Sequence, residues 1–370
     1  MVFNYICIVM GKQTKRTALF LSLFAVILCS CGSGAPDTGS SIPLVSGIID
    51  DRTNAYHSMM SGAAAEPYGG ICITGSDRAV RHLARKMRFI DCVDNVTGAP
   101  GADGLPDFAG ETILSFLDTT DAPYSSLLVN GQDRLREIAV RQALLAVDTV
   151  YHISPYDQEG RGVKASAKVI VLADACLARF GKSDIDTLFR VFGCDIPVFS
   201  PIDILLEEAF AEAEGRDLNV GIVCDKGIES AYRGRFSHFR KKYGAGDSEC
   251  AVFSLSRSGN PLKDFLDRYL ESGRTRPIDV LLVDTPEVKA ENMKSSAVDF
   301  ISLLSGDSVK YGGLLSDSFH IMDSADAVIA ACYSFLRVSN NFTHRISMPV
   351  CEYFHIGSSG ILIHDSYVQN

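Results

Sequence analysis

Short polar residues stand where apolar runs of this chain end: Thr74, Ser76 and Asp77; Asp94 and Asn95; Asp107 and Phe108; Asp174; Ser200; Asp225 and Lys226; Asp284 and Thr285; Ser316 and Asp317. Carboxylates mixed with hydroxyls and a lysine can hydrogen-bond sugar or ribose hydroxyls, or hold an amine. A binding site built this way would draw on Ser76, Asp107, Phe108, Asp174, Asp225, Lys226, Asp284 and Asp317. The same positions open helices, where Asp and Ser cap free N–H groups whatever the function. Convergence in space separates the two readings. At Asp225-Lys226, directly after a buried run, a ligand clamp and a weak exposed ion pair are both open.

Other chemistries find less. Eight cysteines remain besides Cys7, Cys29 and Cys31, with no C-x-x-C, and the eight histidines show neither H-x-x-x-H nor H-E-x-x-H spacing. A zinc site is therefore not expected. Several cysteines sit inside apolar runs, where a free thiol packs as a small hydrophobe, although an exported chain could pair one or two sets. Gly98, Gly101 and Gly104 give G-x-x-G-x-x-G rather than a dinucleotide fingerprint, and neither a P-loop nor a G-x-S-x-G elbow is present. No cofactor is implied.

Alternating strands and helices must position these residues. GGICITG reads as a strand, DRAVRHLARKM as a helix capped by Ser76 or Asp77, and RFIDCVDNV as a second strand. A loop rich in Gly, Pro and Asp follows at 97–110, of a length that is often functional. ETILSFLD, a long helix through Leu135 and Leu145, the unalternating strand KVIVLADA, a helix, the short strand DIPVFSP and an acidic-faced helix complete a first unit. NVGIVCD with its helix, ECAVFSL, PLKDFLDRYLESG, PIDVLLVD, the helix after VKAENM, VKYGGLLSD and a helix at 324–338 make a second, and PVCEYFHIG and SGILIHDSYV read as closing strands. The expected fold class is α/β, two lobes each with a mostly parallel sheet flanked by helices.

Lys12, Lys15 and Arg16 precede the uncharged run TALFLSLFAVIL, too short to span a bilayer but suited to a secretory signal. Its end, Leu28-Cys29-Ser30-Cys31, resembles the bacterial lipoprotein signal, which implies lipidation, as with palmitate, at Cys31 and a cell-envelope location at the outer membrane or periplasmic face. The division expected is signal 1–30, tether 31–65, first lobe 66–215, second lobe 216–340 and closing strands 341–370. Loss of residues 1–30 removes those three basic groups and no acid, taking the net charge from −10 to −13. So acidic a chain is a poor nucleic-acid binder.

KVIVLADA through DIPVFSP, then NVGIVCDKGIESAYRGRFSHFRKKYG with Arg233 and Phe236, then PIDVLLVDTPE, together resemble the type 1 periplasmic binding proteins over about residues 66–340. That resemblance implies a non-enzymatic, lipid-anchored receptor closing by hinge motion on a small polar solute, in partnership with an ABC-type permease. A different class stays open beside it. Cofactor-independent racemases of the aspartate/glutamate type also have two α/β lobes and use one cysteine from each, for which Cys176 and Cys224 are the candidates, although the Ala-Cys-Asn-Thr and Gly-Cys-Thr-His surroundings of that family are missing here. A third alternative is an interaction protein that keeps the scaffold without a ligand.

Overall fold

The computed structural model describes residues 41–154, 156–255, 259–301, 308–357 and 360–365. Two mostly parallel sheets organise them. The strands are β1 (Gly70–Ser76), β2 (Thr112–Asp118), β3 (Val150–Ser154), β4 (Asp157–Val163), β5 (Ala167–Leu172), β6 (Val198–Phe199), β7 (Asn219–Cys224), β8 (Glu249–Ser254), β9 (Ile278–Asp284), β10 (Leu315–Asp323), β11 (Val350–Ile356) and β12 (Leu362–His364). The larger sheet has eight strands in the order β4-β3-β12-β11-β2-β1-β5-β6, and the smaller has four in the order β10-β9-β7-β8. Among the described strands, only the β3–β4 and β11–β12 pairings are antiparallel.

Alternation along each central strand explains the layering, since successive side chains face opposite sides of a sheet. Ile71, Ile73, Val169 and Val171 face a core shared with helices Asp77–Phe89 and Ser324–Val338. Cys72, Ile170 and Leu172 face the other side, where helices Gln132–Val147 and Ala175–Phe192 lie. This second core does not stop at the lobe boundary: through Phe210, Tyr232 and Phe236 it continues onto Val220, Ile222, Val280 and Leu282 of the smaller sheet. The opposite face of the smaller sheet closes over a separate cluster around Phe265, Tyr269 and Phe300. One apolar core therefore crosses the junction and packs the two lobes together.

Three segments differ from the sequence reading. RFIDCVDNV forms no strand: the helix runs on to Phe89, and residues 91–107 fold as a loop whose backbone N–H groups are taken by its own aspartates. β3 and β4 pair as an antiparallel edge of the larger sheet that no strong alternation announced. Helix Ser324–Val338 and the strands β11 and β12 return to the larger sheet's side, so the chain crosses between the sheets twice, near residues 213–218 and at Asp323-Ser324. Among the described residues no helix is long and apolar enough to cross a membrane. Cys31, the expected lipidation point, lies outside the described residues.

Candidate active site between the sheets

In open parallel sheets ligands gather at the carboxyl ends of strands, where neighbouring connections run in opposite directions. Each sheet has such a point. β1 leads through its helix to β2 on one side while its neighbour β5 leads to β6 on the other; β7 leads to β8 while its neighbour β9 leads to β10. Ser76 and Asp174 follow from β1 and β5, and Asp225 and Asp284 from β7 and β9. The four come from the two switch points, and the charge of Asp225 bears on Asp174 while those of Asp225 and Asp174 bear on Asp284, so the three carboxyls lie within electrostatic reach of one another.

Asp174 stands at the start of helix Ala175–Phe192 and Ser76 at the start of helix Asp77–Phe89, yet neither side chain caps its helix. Instead the Ser76 backbone N–H donates to Asp174 Oδ2 at 2.7 Å and the Ser76 hydroxyl to Oδ1 at 3.0 Å. Gly75 permits this approach: a Cβ there would lie 2.3 Å from Asp174 Oδ2. On the facing lobe, Tyr232 donates its hydroxyl to Asp284 Oδ2 at 2.9 Å, and Thr285 donates to Asp225. Ser324, at the second crossing, also hydrogen-bonds Asp284.

Both aspartates are held far from the usual carboxylate range. Burial lifts the Asp174 carboxyl to about 6, against the pull of its Ser76 hydrogen bonds and helped by the nearby Asp225 and Asp118. Burial lifts Asp284 to about 7, against Ser324 and Tyr232 and helped by Asp225 and Asp174. Asp118, buried at the end of β2 opposite Ser76, is fixed: it accepts from Tyr124 and Gln142 at 2.9 Å each and from the N–H groups of Thr120 and Asp121. Thr74 completes that network by donating to Gln142 at 2.8 Å. Among the described residues no group of three or more His, Cys, Asp or Glu side chains is arranged to hold a metal ion.

Of the other sequence candidates, Asp107, Phe108 and Asp317 lie away from this point, and Lys226 lies beside Asp225 within it. Asp107 accepts from the N–H groups of Cys92 and Val93, pinning the 91–107 loop at the amino end of the larger sheet. Phe108 is fully buried against Tyr333 and Phe342. Asp317 is exposed near the start of β10, at the far end of that strand from Asp323. Lys226 is exposed, and Asp225 takes its hydrogen bond from Thr285. Asp118, Tyr124, Gln142, Tyr232 and Ser324 were not among the candidates; only Asp118, a carboxylate ending an apolar strand, carried the same signal as those that were.

Burial holds the two candidate thiols in their unreactive form. All eight described cysteines are free, Cys176 and Cys224 are buried, and burial pushes Cys176 up to about 12 and Cys224 well above the ordinary thiol range. Thiolate is the reactive form, so both should be inert. Iodoacetamide at mildly alkaline pH should label exposed Cys92 and leave Cys176 and Cys224 untouched until the chain is denatured. Peptide mass mapping reads this, and native labelling of either at the rate of Cys92 would restore the thiol reading.

No protein-family model and no curated protein matches this chain. Among solved structures, the glutamate racemase of Francisella tularensis subsp. tularensis SCHU S4 in complex with D-glutamate superposes with a TM-score of 0.51 at 14% identity, covering 79% of this chain and 89% of that one. Glutamate racemase RacE1 of Bacillus anthracis gives a TM-score of 0.47 at 14% identity over 80% and 91%, and that of Campylobacter jejuni subsp. jejuni 0.46 at 13% over 78% and 93%. The first likeness defines the fold: a two-domain α/β arrangement of the glutamate-racemase kind. It corrects the resemblance to periplasmic binding proteins, which rested on the order of strands and helices that both architectures share. With that resemblance go the non-enzymatic receptor and the transport role, and the lipoprotein reading gains no support from it.

Proposed function

We propose that this chain is an enzyme that moves a proton at a carbon of a small substrate held between its lobes, with Asp174 and Asp284 as the acid–base pair. The observation that carries this is their placement: one carboxyl from each switch point, each raised into the range where a group can both take and give a proton near neutrality. A carboxyl on either side of a carbon suits removal of a proton from one face and delivery to the other, which is racemisation or epimerisation. The fold likeness to a racemase supports this chemistry, while burial disfavours the reactive thiolate form of Cys176 and Cys224.

Charge narrows the substrate. Asp118, Asp174, Asp225 and Asp284 favour a cationic group, so an ammonium fits where a second carboxylate would be repelled. The helices beginning at Asp77 and Ala175 lack side-chain caps, and their free N–H groups suit a carboxylate. An amino acid with a neutral or basic side chain meets both demands better than an acidic one.

The test is proton exchange. Incubated in D2O with D- and L-amino acids in turn, the full chain should exchange the α-proton of at least one neutral or basic amino acid, seen as loss of its NMR signal together with appearance of the opposite enantiomer. A folded chain that exchanges none of them would sink the proposal.

A further inference from the structure

A concavity of about 380 Å³ lies in the smaller lobe, lined by Arg233, Phe236, Ser237 and Arg240 of helix Glu229–Lys242, by Ser248, Glu249 and Cys250 at β8, and by Arg274, so that one carboxylate, Glu249, stands among three guanidinium groups. The chain carries a net charge of −10, so three guanidinium groups around one hollow run against its composition. They are also poorly satisfied. Arg233 is exposed and has no hydrogen bond or ion pair among the described residues; Arg240 has a single 3.4 Å bond to the Ser248 carbonyl. Arg274 lies 3.5 Å from Glu249, a mostly exposed partner that it shares with Arg276. Like charges are not gathered in a hollow without cost, and the ligand that relieves it is an anion, for which the planar guanidinium fork is the best-matched donor.

We propose that this hollow binds a small molecule carrying phosphate or carboxylate groups, with Arg233 and Arg240 as paired donors and the Ser237 hydroxyl beside them. It is a separate site from the one between the sheets. Helix Glu229–Lys242 joins them, because Tyr232, which donates to Asp284, precedes Arg233 in the same turn.

Isothermal titration of the full chain with inorganic pyrophosphate and, in a second arm, with citrate tests this and separates the two oxyanion chemistries. Saturable binding of at least one probe, weakened by added salt, is expected, with affinity reduced by at least about tenfold in Arg233→Gln/Arg240→Gln. An unchanged melting temperature of that variant shows that the fold is intact; should it fail to fold, Arg233→Gln alone, at an exposed position, should still weaken binding. Absence of saturable binding of both probes, or equal affinity in wild type and a folded variant, would overturn the proposal. None of these readouts uses proton exchange, so the result stands apart from the activity proposed above.

Discussion

Asp174→Asn and Asp284→Asn should each lower the proton-exchange rate by about 10²–10⁴-fold, the range that positioned acid–base groups supply, and each should melt higher than wild type at pH ~8. The two effects share one cause. A carboxyl whose folded pKa is raised gives stability that is fully present below its unfolded value of about 4 and is lost as pH rises through the folded value. The loss runs through about 6 for Asp174 and about 7 for Asp284. Above both values the chain holds two poorly solvated, mutually repelling carboxylates, and a neutral amide removes that burden. At pH ~4 the advantage should vanish. For Asp174→Asn the gain is trimmed, since the amide keeps only one oxygen to accept from Ser76. Melting curves at the two pH values and exchange rates on the same samples check this; a folded variant with wild-type rate, or variants no more stable than wild type at pH ~8, would remove the acid–base assignment.

The rate should also be bell-shaped in pH, highest between about 6 and about 7, where the pair holds one proton. Abstraction by Asp174 with delivery by Asp284, and the reverse, both start from that singly protonated pair, so both reaction directions should share one pH profile.

The strand and helix content was legible wherever one periodicity dominated. KVIVLADA reads as a covered parallel strand because its neighbours bury both faces, and the helix at 324–338 appears with the bounds expected. RFIDCVDNV misled because its apolar residues belong partly to the end of a helix and partly to a loop held by its own aspartates 12 and 15 residues along the chain, and no local pattern records those bonds. Asp174, Asp225 and Asp284 could be listed as strand-end acids, but Asp107 and Asp317 looked the same. Which of them meet depends on strand order, and β5 beside β1 or β9 beside β7 is a long-range fact. The type 1 binding-protein resemblance failed for the same reason, since element order along the chain does not encode how strands are arranged across a sheet. Tyr232 sat in a stretch read for its helical face, and its hydroxyl's bond to Asp284, 52 residues away, could not be read there.

Removing one side of the buried ion pair beneath the larger sheet should cost more stability than a surface change could. Lys168, fully buried at the start of β5, lies 2.7 Å from Glu111 Oε2 and also donates to the carbonyls of Pro67 and Asn341 at 2.8 and 2.7 Å. Glu111 in turn accepts from the Thr343 N–H at 2.8 Å. The pair therefore ties the entry to β1, the start of β2 and the 341–343 return segment at one end of the sheet, opposite the aspartates. Gly69 leaves room for the lysine: a Cβ there would lie 3.0 Å from Lys168 Cβ. Lys168→Met keeps the aliphatic stem but leaves the Glu111 carboxyl buried and uncompensated, for which about 3–5 kcal/mol of destabilisation is expected. Glu111→Gln added to it should recover a good part of the loss, because a neutral amide can still accept from Thr343 and no longer buries a charge. Urea unfolding of the single and double variants measures both quantities. A Lys168→Met chain that unfolds at the wild-type midpoint, or a double variant less stable than Lys168→Met instead of more stable, would show that the pair does not act as a unit.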